Sequence, residues 1–199
     1  MWLMWLMLLS TPSSLISFNS RNFSEMGQAV KLFLVGYMGC GKSSIGKRLA
    51  RRTGWQLLDT DSEIEREDGA SVSDIFRYEG EEYFRRREQE VLSKIIQSSE
   101  PMIISTGGGL PIWGDNMERM NQAGVTIYLR RSAENIASRL SPYGRQRRPK
   151  LRGLSDEELV AFMRKNIVER EPRYLKARVA FDGDLLRDED IVEEILKMI

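Results

Sequence analysis

The sequence predicts an α/β fold in which a five-stranded parallel sheet lies between two layers of helices. The first observation is that short apolar runs alternate with segments of helical periodicity from residue 31 onward, which is typical of parallel sheets. The second is that a glycine-rich turn separates the first apolar run from a helical pattern. The third is the length of 199 residues, which suits one such domain with a sizeable core.

The predicted elements follow in order along the chain. The strands are Lys31–Val35, Gln56–Leu58, Met102–Ser105, Val125–Leu129 and Arg178–Phe181. The helices are Lys42–Arg52, Val72–Phe76, Glu81–Gln97, Asp115–Asn121, Ala133–Leu140, Ser155–Arg173 and Asp188–Met198. Gly54 is a stop signal for the first helix, and Ser155 with Glu158 forms a capping box that starts the sixth.

The first 25 residues differ in composition from the rest of the chain. Residues 1–9 are wholly apolar, and residues 10–25 are rich in Ser and Asn. The apolar run is far shorter than the roughly 20 residues that span a bilayer, and it lacks the basic residues that begin a signal peptide. We therefore expect residues 1–25 to be a leader outside the fold and residues 26–199 to form the domain, with Met26 as the true start. A signal peptide is the alternative.

Composition excludes several classes of function. The chain has no histidine, which removes histidine bases, Ser-His-Asp triads and histidine-ligated metals together. A single cysteine, Cys40, excludes an internal disulfide and cysteine-rich zinc sites. The net charge of +1 provides no general attraction to nucleic acid or to a membrane surface, so neither is expected as a partner.

Residues 36–43 read Gly-Tyr-Met-Gly-Cys-Gly-Lys-Ser, which is a complete G-x-x-x-x-G-K-S motif between a predicted strand and a predicted helix. Glycines let consecutive backbone N–H groups curve around an anion, and the helix N-terminus adds partial positive charge. Lys42 is expected to reach the β- and γ-phosphates of a nucleotide, and Ser43 to bind Mg²⁺. The expected nucleotide-binding residues of this turn are Gly39, Cys40, Gly41, Lys42, Ser43 and Ser44.

Two carboxylates and three glycines follow predicted strands, at the sheet edge where open α/β folds bind their ligands. Asp59 and Asp61 leave the second strand two residues apart, so that Asp59 can hold Mg²⁺ through water while Asp61 accepts a proton from an attacking alcohol. Solvated turn acids or a helix cap are the alternative explanation for this pair. Gly107, Gly108 and Gly109 allow the backbone to approach a small ligand closely, although a plain tight turn explains them equally.

Three adjacent arginines lie on a predicted helix, and we expect only Arg85 to point inward. Glu88 is three residues further along the same face, so it can orient the guanidinium of Arg85. An oriented guanidinium is a good bidentate clamp for a carboxylate. The helix therefore favours an acceptor that carries a carboxylate.

The segment 141–153 contains five basic residues and no acidic one, and its Pro and Gly content argues against regular structure. In a phosphate-loop kinase, such a segment is typical of a mobile lid that brings an arginine over the γ-phosphate and excludes water. An RNA-binding loop is the alternative. The near-neutral net charge and the lack of interleaved aromatic residues beyond Tyr143 favour the lid.

The sequence from Val30 to Ile199 resembles the shikimate kinases, within the nucleoside-monophosphate-kinase-like group of P-loop NTPase folds. Several motifs in the same order carry the resemblance, and together they are more specific than a phosphate loop alone. They are Gly36–Ser43, Leu57–Asp61, Asp74–Phe76 with Gly80-Glu81 and Phe84-Arg85, Gly107–Gly109, Arg148-Pro149 and Glu169–Tyr174. The resemblance implies transfer of phosphate from ATP to the 3-hydroxyl of shikimate, on the route to aromatic amino acids.

The resemblance also implies a role for each matching position. Asp61 would bind the ring hydroxyls of shikimate and help to deprotonate the attacking one. Arg85 and Arg170 would hold the carboxylate, and the three glycines would line the pocket. Arg148 would be the lid arginine at the transferring phosphate, and Arg139 would stack on adenine.

On the same resemblance, Ser43 and Asp59 would serve Mg²⁺. The expected catalytic groups are Lys42, Asp61 and Arg148. The lid departs from the family pattern at Lys150, where a second leucine often follows the proline, and this affects lid dynamics rather than the reaction. ATP and shikimate are the expected partners, and a cytoplasmic monomer is the expected form.

Two other interpretations stay open from the sequence. A related small-molecule kinase for gluconate or a nucleotide would share the phosphate loop, and gluconate also carries a carboxylate. A non-catalytic ATP-binding protein of the same fold is the second, and the intact set of reactive side chains argues against it. That set is Lys42, Ser43, Asp59, Asp61 and Arg148.

Overall fold

The computed structural model describes residues 15–18, 31–146, 148 and 151–199. The strands are β1 Leu15–Phe18, β2 Lys31–Val35, β3 Gln56–Asp59, β4 Met102–Ser105, β5 Val125–Arg130 and β6 Val179–Asp182. The helices are α1 Lys42–Thr53, α2 Thr60–Asp68, α3 Val72–Tyr78, α4 Gly80–Gln97, α5 Asn116–Ala123, α6 Ala133–Arg139, α7 Pro142–Gln146, α8 Asp156–Tyr174 and α9 Asp188–Leu196. Within the ranges described, no helix is both long enough and apolar enough to cross a bilayer.

The strands form one sheet in the order β1-β6-β5-β2-β4-β3. The pairs among β2 to β6 are parallel, with Phe33 of β2 opposite Ile104 of β4 on one side and Thr126 of β5 on the other. The predicted five-stranded parallel sheet between helices is therefore confirmed. Because β2 lies between β4 and β5, the loop after β2 opens at the edge where the neighbouring strands also end.

The structure adds one strand from the segment that the sequence predicts to be a leader. The backbone of β1 pairs with β6 in the antiparallel direction, with Leu15 opposite Phe181 and Phe18 opposite Val179. Leu15, Ser17 and Phe18 therefore pair with the sheet, which differs from the expectation that this part of the chain lies outside the fold. The rest of that prediction concerns residues outside the described part of the chain, and it stays a prediction.

The sheet is covered on both faces, which explains why its central strands read as continuous apolar runs. Every residue of β2 and β4 is buried. The largest aromatic side chains of this core are Phe33, Tyr128, Tyr174 and Phe181. The apolar stripe predicted in the last helix is buried in the same core through Ile191, Val192 and Ile195.

Two helix ends lie where the capping signals predict them. Gly54 ends α1 with a φ of 74°, in the left-handed region that favours glycine. Ser155 begins α8 with both hydrogen bonds of a capping box, since Glu158 N donates to Ser155 Oγ at 3.2 Å and Ser155 N donates to Glu158 Oε2 at 2.8 Å.

Two helices differ from the prediction. The helix α2 is missing from the predicted elements, and it begins at Thr60 because Asp59 Oδ1 accepts hydrogen bonds from the backbone N–H groups of Asp61 and Ser62. The expectation that the lid lacks regular structure is wrong for Pro142–Gln146, which forms α7. Proline is compatible with the first position of a helix because its missing N–H would have no partner there. Lys150 lies outside the described residues.

Candidate active site

The phosphate loop joins the buried end of β2 to the start of α1, as the motif predicts. Gly39 and Gly41 have φ values of 81° and 107°, which strain any residue with a side chain. Between them, Cys40 is buried, and its carbonyl oxygen accepts a hydrogen bond from Arg131 Nε at 2.9 Å. The glycines therefore allow the tight backbone path on which successive N–H groups can surround a phosphate.

Lys42 begins α1, and its side chain is buried over the phosphate loop. Its Nζ donates to the carbonyl oxygens of Gly36 at 2.8 Å and Tyr37 at 2.9 Å, and it lies 3.8 Å from Cys40 Sγ. The ammonium therefore lies against the loop that is expected to bind a nucleotide. A bound phosphate would replace these carbonyl contacts by stronger charge-assisted hydrogen bonds.

Ser43 and Asp59 lie together beside the loop, and Ser43 and Ser44 are both exposed in the first turn of α1. Ser43 Oγ donates to Asp59 Oδ2 at 3.1 Å and lies 3.1 Å from Ser105 Oγ. Asp59 also caps α2, which fixes the orientation of its carboxylate, so the helix-cap explanation of this residue applies as well. A small set of hard oxygen donors suits Mg²⁺, which takes one or two protein ligands together with phosphate oxygens and water. The described residues contain no cluster of three or more His, Cys, Asp or Glu that could hold a metal ion.

Asp61 lies in the first turn of α2 and is half-buried. Burial raises the pKa of the Asp61 carboxyl to about 6; the negative charge of Asp59 adds to the rise, and Lys42 opposes it. Arg85 also opposes the rise, so Asp61 is within electrostatic range of both Lys42 and Arg85. A carboxyl group with a pKa near the working pH is suited to accept a proton.

The glycines after β4 leave space for charged side chains to contact the backbone. A Cβ atom at Gly107 would collide with Asp61 Oδ1 and would lie 3.1 Å from Glu88 Oε1. A Cβ atom at Gly109 would collide with the guanidinium of Arg85, lying 2.8 Å from its Cζ. A side chain at either of these two positions would therefore displace Asp61 or Arg85, without any strain of the backbone.

Arg85 projects from α4 into the same region, as the helix spacing predicts. Its Nη1 donates to Glu88 Oε2 at 2.5 Å, while Nε and Nη2 donate to Glu81 Oε1 at 3.2 and 2.8 Å. Glu88 is fully buried, and burial raises its pKa to about 7; Arg85 opposes the rise and Asp61 adds to it. The arginine is therefore held by carboxylates on both sides along its own helix.

Arg170 lies near the end of α8, and its Cζ is 5.5 Å from the ring centroid of Tyr37 in the phosphate loop. One turn later, Tyr174 is fully buried, and its hydroxyl donates to the carbonyl oxygen of Gly108 at 2.7 Å. Burial raises the pKa of Tyr174, and the charge of Arg170 opposes the rise. The end of α8 thus connects the second arginine to both the phosphate loop and the three glycines.

Arg139 ends α6 close to the phosphate loop, since a Cβ atom at Gly41 would lie 3.8 Å from its Nη2. The same Nη2 donates to Asp188 Oδ2 at 2.7 Å. Asp188 Oδ1 accepts from Arg131 Nη2 at 2.6 Å, and Arg131 in turn donates to the carbonyl oxygen of Cys40. Asp188 therefore links the arginine that is expected to stack on adenine with the residue that supports the loop.

Arg148 lies in the lid and contacts the backbone of the lid. Its Nη1 donates to the carbonyl oxygen of Gly144 at 2.6 Å, and its N–H donates to the carbonyl oxygen of Arg145 at 3.0 Å. The buried Leu151 then donates its N–H to the carbonyl oxygen of Arg148 at 2.9 Å, which joins the lid to the core. Arg148 is therefore held in the lid, whereas the other predicted site residues lie around the phosphate loop and the three glycines after β4.

The structure also adds residues that the sequence analysis did not single out. They are Tyr37, Trp113, Arg131 and Asp188. Tyr37 occupies a variable position of the motif, and Trp113 follows a proline-containing turn, so neither carries a recognisable signal. Arg131 and Asp188 are 57 residues apart, and no local pattern links them.

Comparison with known proteins identifies the family. The family model described as shikimate kinase matches residues 38–199. The shikimate kinase of Parabacteroides distasonis is 44% identical over 165 residues, which cover 83% of this chain and 94% of the relative. The shikimate kinase of Azobacteroides pseudotrichonymphae is 41% identical over 169 residues, which cover 85% of this chain and 99% of the relative.

Solved structures agree with this assignment. The shikimate kinase from Bacteroides thetaiotaomicron matches with a TM-score of 0.79 at 36% identity, over 85% of this chain and 97% of the other. The shikimate kinase from Acinetobacter baumannii in complex with shikimate matches with a TM-score of 0.74 at 30% identity, over 89% of this chain and 96% of the other. The family match, the identities and the coverage together show that this chain belongs to the shikimate kinase family.

Proposed function

We propose that this chain transfers the γ-phosphoryl group of ATP to the 3-hydroxyl of shikimate, forming shikimate 3-phosphate on the route to chorismate and the aromatic amino acids. The observation that carries the proposal is that a phosphate loop and two arginines meet at one edge of the sheet. Asp61, whose Oδ1 lies beside Gly107, is coupled electrostatically to both Lys42 and Arg85. Membership of the shikimate kinase family supports this acceptor.

The alternative acceptors are less well supported. A gluconokinase from Sinorhizobium meliloti matches with a TM-score of 0.52 at 19% identity. A deoxyadenosine kinase from M.mycoides matches with a TM-score of 0.55 at 15% identity. Similarities at this level show a common fold alone. A nucleoside acceptor also lacks the carboxylate that two oriented arginines would recognise.

On the nucleotide side, backbone N–H groups of residues 39–44 would bind the phosphates, and Lys42 would exchange its carbonyl partners for β- and γ-phosphate oxygens. Arg139 is more than one-third exposed and lies beside Gly41, so its planar guanidinium is available to stack on adenine. Asp188 would hold that guanidinium in place.

Ser43 and Asp59 would hold Mg²⁺, since their oxygens are already in contact with each other. When bound, Mg²⁺ supplies positive charge that neutralises the phosphate oxygens of ATP. Ser105 and the capping hydrogen bonds of Asp59 keep these two oxygen donors in position beside the phosphate loop. The protein therefore provides oriented ligands and leaves further coordination to phosphate and water.

On the acceptor side, Arg85 and Arg170 would bind the shikimate carboxylate, and Gly107 to Gly109 would line the pocket. The 3-hydroxyl oxygen forms a bond to the γ-phosphorus while the bond from phosphorus to the ADP oxygen breaks. The hydroxyl proton passes to Asp61, whose pKa of about 6 suits this role. Lys42 stabilises the charge of the equatorial oxygens, and a loose transition state needs little further help from a base.

Arg148 would join the site when the lid closes. In this structure its guanidinium bonds to the backbone of Gly144, so closure would exchange that carbonyl oxygen for an oxygen of the transferring phosphate. Closure would also exclude water, which strengthens the electrostatic contacts of the site. We further propose that the enzyme works in the cytoplasm, because the reaction consumes ATP, and that it works as a monomer.

A coupled assay of ADP release tests the proposal. With Mg-ATP, shikimate should be phosphorylated, while gluconate and nucleoside monophosphates should not. Lys42→Met should abolish turnover, because it removes the cation next to the transferring phosphate, and this variant also controls for contaminating kinases. Turnover of gluconate without turnover of shikimate would overturn the proposed acceptor.

A further inference from the structure

Three aromatic rings surround the guanidinium of Arg85. Its Cζ lies 5.5 Å from the ring centroid of Trp113, 5.6 Å from that of Phe84 and 6.0 Å from that of Phe76. Phe76 and Phe84 also contact each other, with centroids 4.6 Å apart. These distances are within the range in which a cation is attracted to the face of an aromatic ring, and tryptophan gives the strongest attraction.

A short chain of backbone hydrogen bonds places Trp113 against Arg85. The N–H of Leu110 donates to the carbonyl oxygen of Gly107 at 3.2 Å, and the N–H of Trp113 donates to that of Leu110 at 3.4 Å. The fully buried Asn116 fixes this turn, since its Nδ2 donates to the same Leu110 oxygen at 3.1 Å and its N–H donates to the carbonyl oxygen of Trp113 at 3.2 Å. The turn that carries the substrate-lining glycines therefore also carries the indole.

The contacts with aromatic rings leave N–H donors of the guanidinium available for hydrogen bonds. Glu81 and Glu88 use three of its five N–H donors in the contacts described above. The aromatic rings restrict the position of the group without taking any donor, so the remaining donors on Nη1 and Nη2 can bind a carboxylate side by side. Rings around the cation also displace water, which strengthens its hydrogen bonds to a bound anion.

We propose that Trp113 is a positioning residue that holds the guanidinium of Arg85 in the orientation that binds the acceptor carboxylate. Trp113 is 42% exposed, so it is not a core residue whose removal alone would disrupt packing. This inference rests on the proposed function, because it assigns Trp113 a part in binding the shikimate carboxylate through Arg85. It predicts an effect on acceptor binding rather than on ATP or on the chemical step.

The test compares steady-state kinetics of the full-length wild type with those of Trp113→Leu and Trp113→Phe. Leucine keeps an apolar side chain but has no aromatic face, so the KM for shikimate should rise about 3- to 30-fold while kcat and the KM for ATP stay near wild type. Phenylalanine restores an aromatic face, so Trp113→Phe should recover most of that loss. A side chain with a merely structural role would not give this split or this rescue.

Tyr78→Leu is the matched control. The Cζ of Arg77 lies 5.4 Å from the ring centroid of Tyr78, which is 72% exposed, so this pair has the same chemistry outside the site. Loss of the Tyr78 ring should change the KM for shikimate by no more than about 2-fold. Fluorescence gives a second measurement, since shikimate should change tryptophan emission in the wild type and this change should be absent in Trp113→Phe.

Each outcome decides the inference. An unchanged KM for shikimate in Trp113→Leu overturns it, and so does an equal loss in Trp113→Leu and Trp113→Phe, or a fall in kcat without a rise in KM. If Trp113→Leu does not fold, Trp113→Met, which also lacks an aromatic face, takes its place in the same comparison with Trp113→Phe. A wild type that does not phosphorylate shikimate at all would instead reject the proposed function, and this result is separate from any comparison between variants.

Discussion

Arg85 Nη1 lies 2.5 Å from Glu88 Oε2, and the second carboxylate oxygen of Glu88 is buried with no hydrogen-bond partner among the described residues. That second oxygen and Asp61 Oδ1 both face the same side of Gly107, since a Cβ atom there would lie 3.1 Å from Glu88 Oε1 and would collide with Asp61 Oδ1. The charge of Arg85 therefore compensates two acidic groups in a space that has little contact with water. Such a pair contributes little stability by itself, but the loss of one partner leaves the other buried without compensation.

Arg85→Ala should therefore have two effects. The KM for shikimate should rise by about 10- to 150-fold, because a charge-assisted hydrogen bond contributes roughly 1.5–3 kcal/mol. The melting temperature should fall because Glu88 loses its counterion, and adding Glu88→Gln should recover stability without recovering the KM. Thermal unfolding and kinetics of the single and double variants check this, and an unchanged KM would remove Arg85 from the acceptor site.

Asp61→Asn should lower kcat by about 10²- to 10⁴-fold, the usual contribution of a general base, while leaving the affinity for ATP nearly unchanged. In the wild type, kcat/KM for shikimate should fall as the pH decreases through about 6, because the carboxyl with this raised pKa becomes protonated. Rate measurements across pH and an ATP titration check both points. Near-normal kcat in the variant would show that Asp61 is not the activating group.

The same substitution should stabilise the fold at alkaline pH. The pKa of Asp61 is raised from 3.8 to about 6 on folding, so the folded state binds the proton more tightly and loses stability as the pH rises through this interval. Asp61→Asn removes that penalty and should increase the free energy of unfolding by about 1–3 kcal/mol at about pH 8. The difference should disappear well below pH 3.8, where both states of the wild type are largely protonated. Urea unfolding at the two pH values measures it, and a gain of equal size at both would refute the explanation.

The three glycines should differ in their tolerance of alanine. A Cβ atom at Gly109 would displace the guanidinium of Arg85, and one at Gly107 would displace the carboxylate of Asp61. Either change should lower kcat/KM for shikimate by about 10²-fold, the order of effect expected from a small misplacement of reacting groups. Gly108→Ala is the matched comparison, because its Cβ atom would lie 3.5 Å from the nearest heavy atom, which is an ordinary contact. This variant should have a smaller kinetic loss than the other two and a melting temperature close to that of the wild type. Equal kinetic losses at all three positions would contradict this account.

A shortened protein that begins at Met26 should fold and turn over like the full chain, and should aggregate less, because residues 1–9 form an apolar run. Removal of β1 leaves β6 at the edge of the sheet, but β6 keeps its parallel pairing with β5. Circular dichroism, light scattering and the shikimate assay of both proteins check the prediction. Loss of folding on shortening would show that the antiparallel pairing of Leu15–Phe18 with β6 is needed.

The fold was largely predictable because its signals are local. The alternation of apolar runs and helical patterns determines the parallel sheet, and the spacing of glycines, Lys42 and Ser43 determines the phosphate loop. The helix α2 escaped prediction because its sequence is mostly charged and its start depends on Asp59 as a cap. The helix α7 escaped because Pro142 is favourable at a first helical position although it disrupts a helix interior.

The sequence by itself determined which reactive side chains the protein has and which strand ends carry them. Only the tertiary structure decided their surroundings, because contacts between distant segments leave no periodic pattern in a single chain. Asp188 meets Arg131 across 57 residues, and Trp113 meets Arg85 through a turn after β4 that packs on α4. Burial likewise raises the pKa of Asp61, and the degree of burial depends on how the elements pack. Residue types and their spacing therefore predicted the kind of chemistry, whereas packing determined the contacts and the pKa values of the reactive groups.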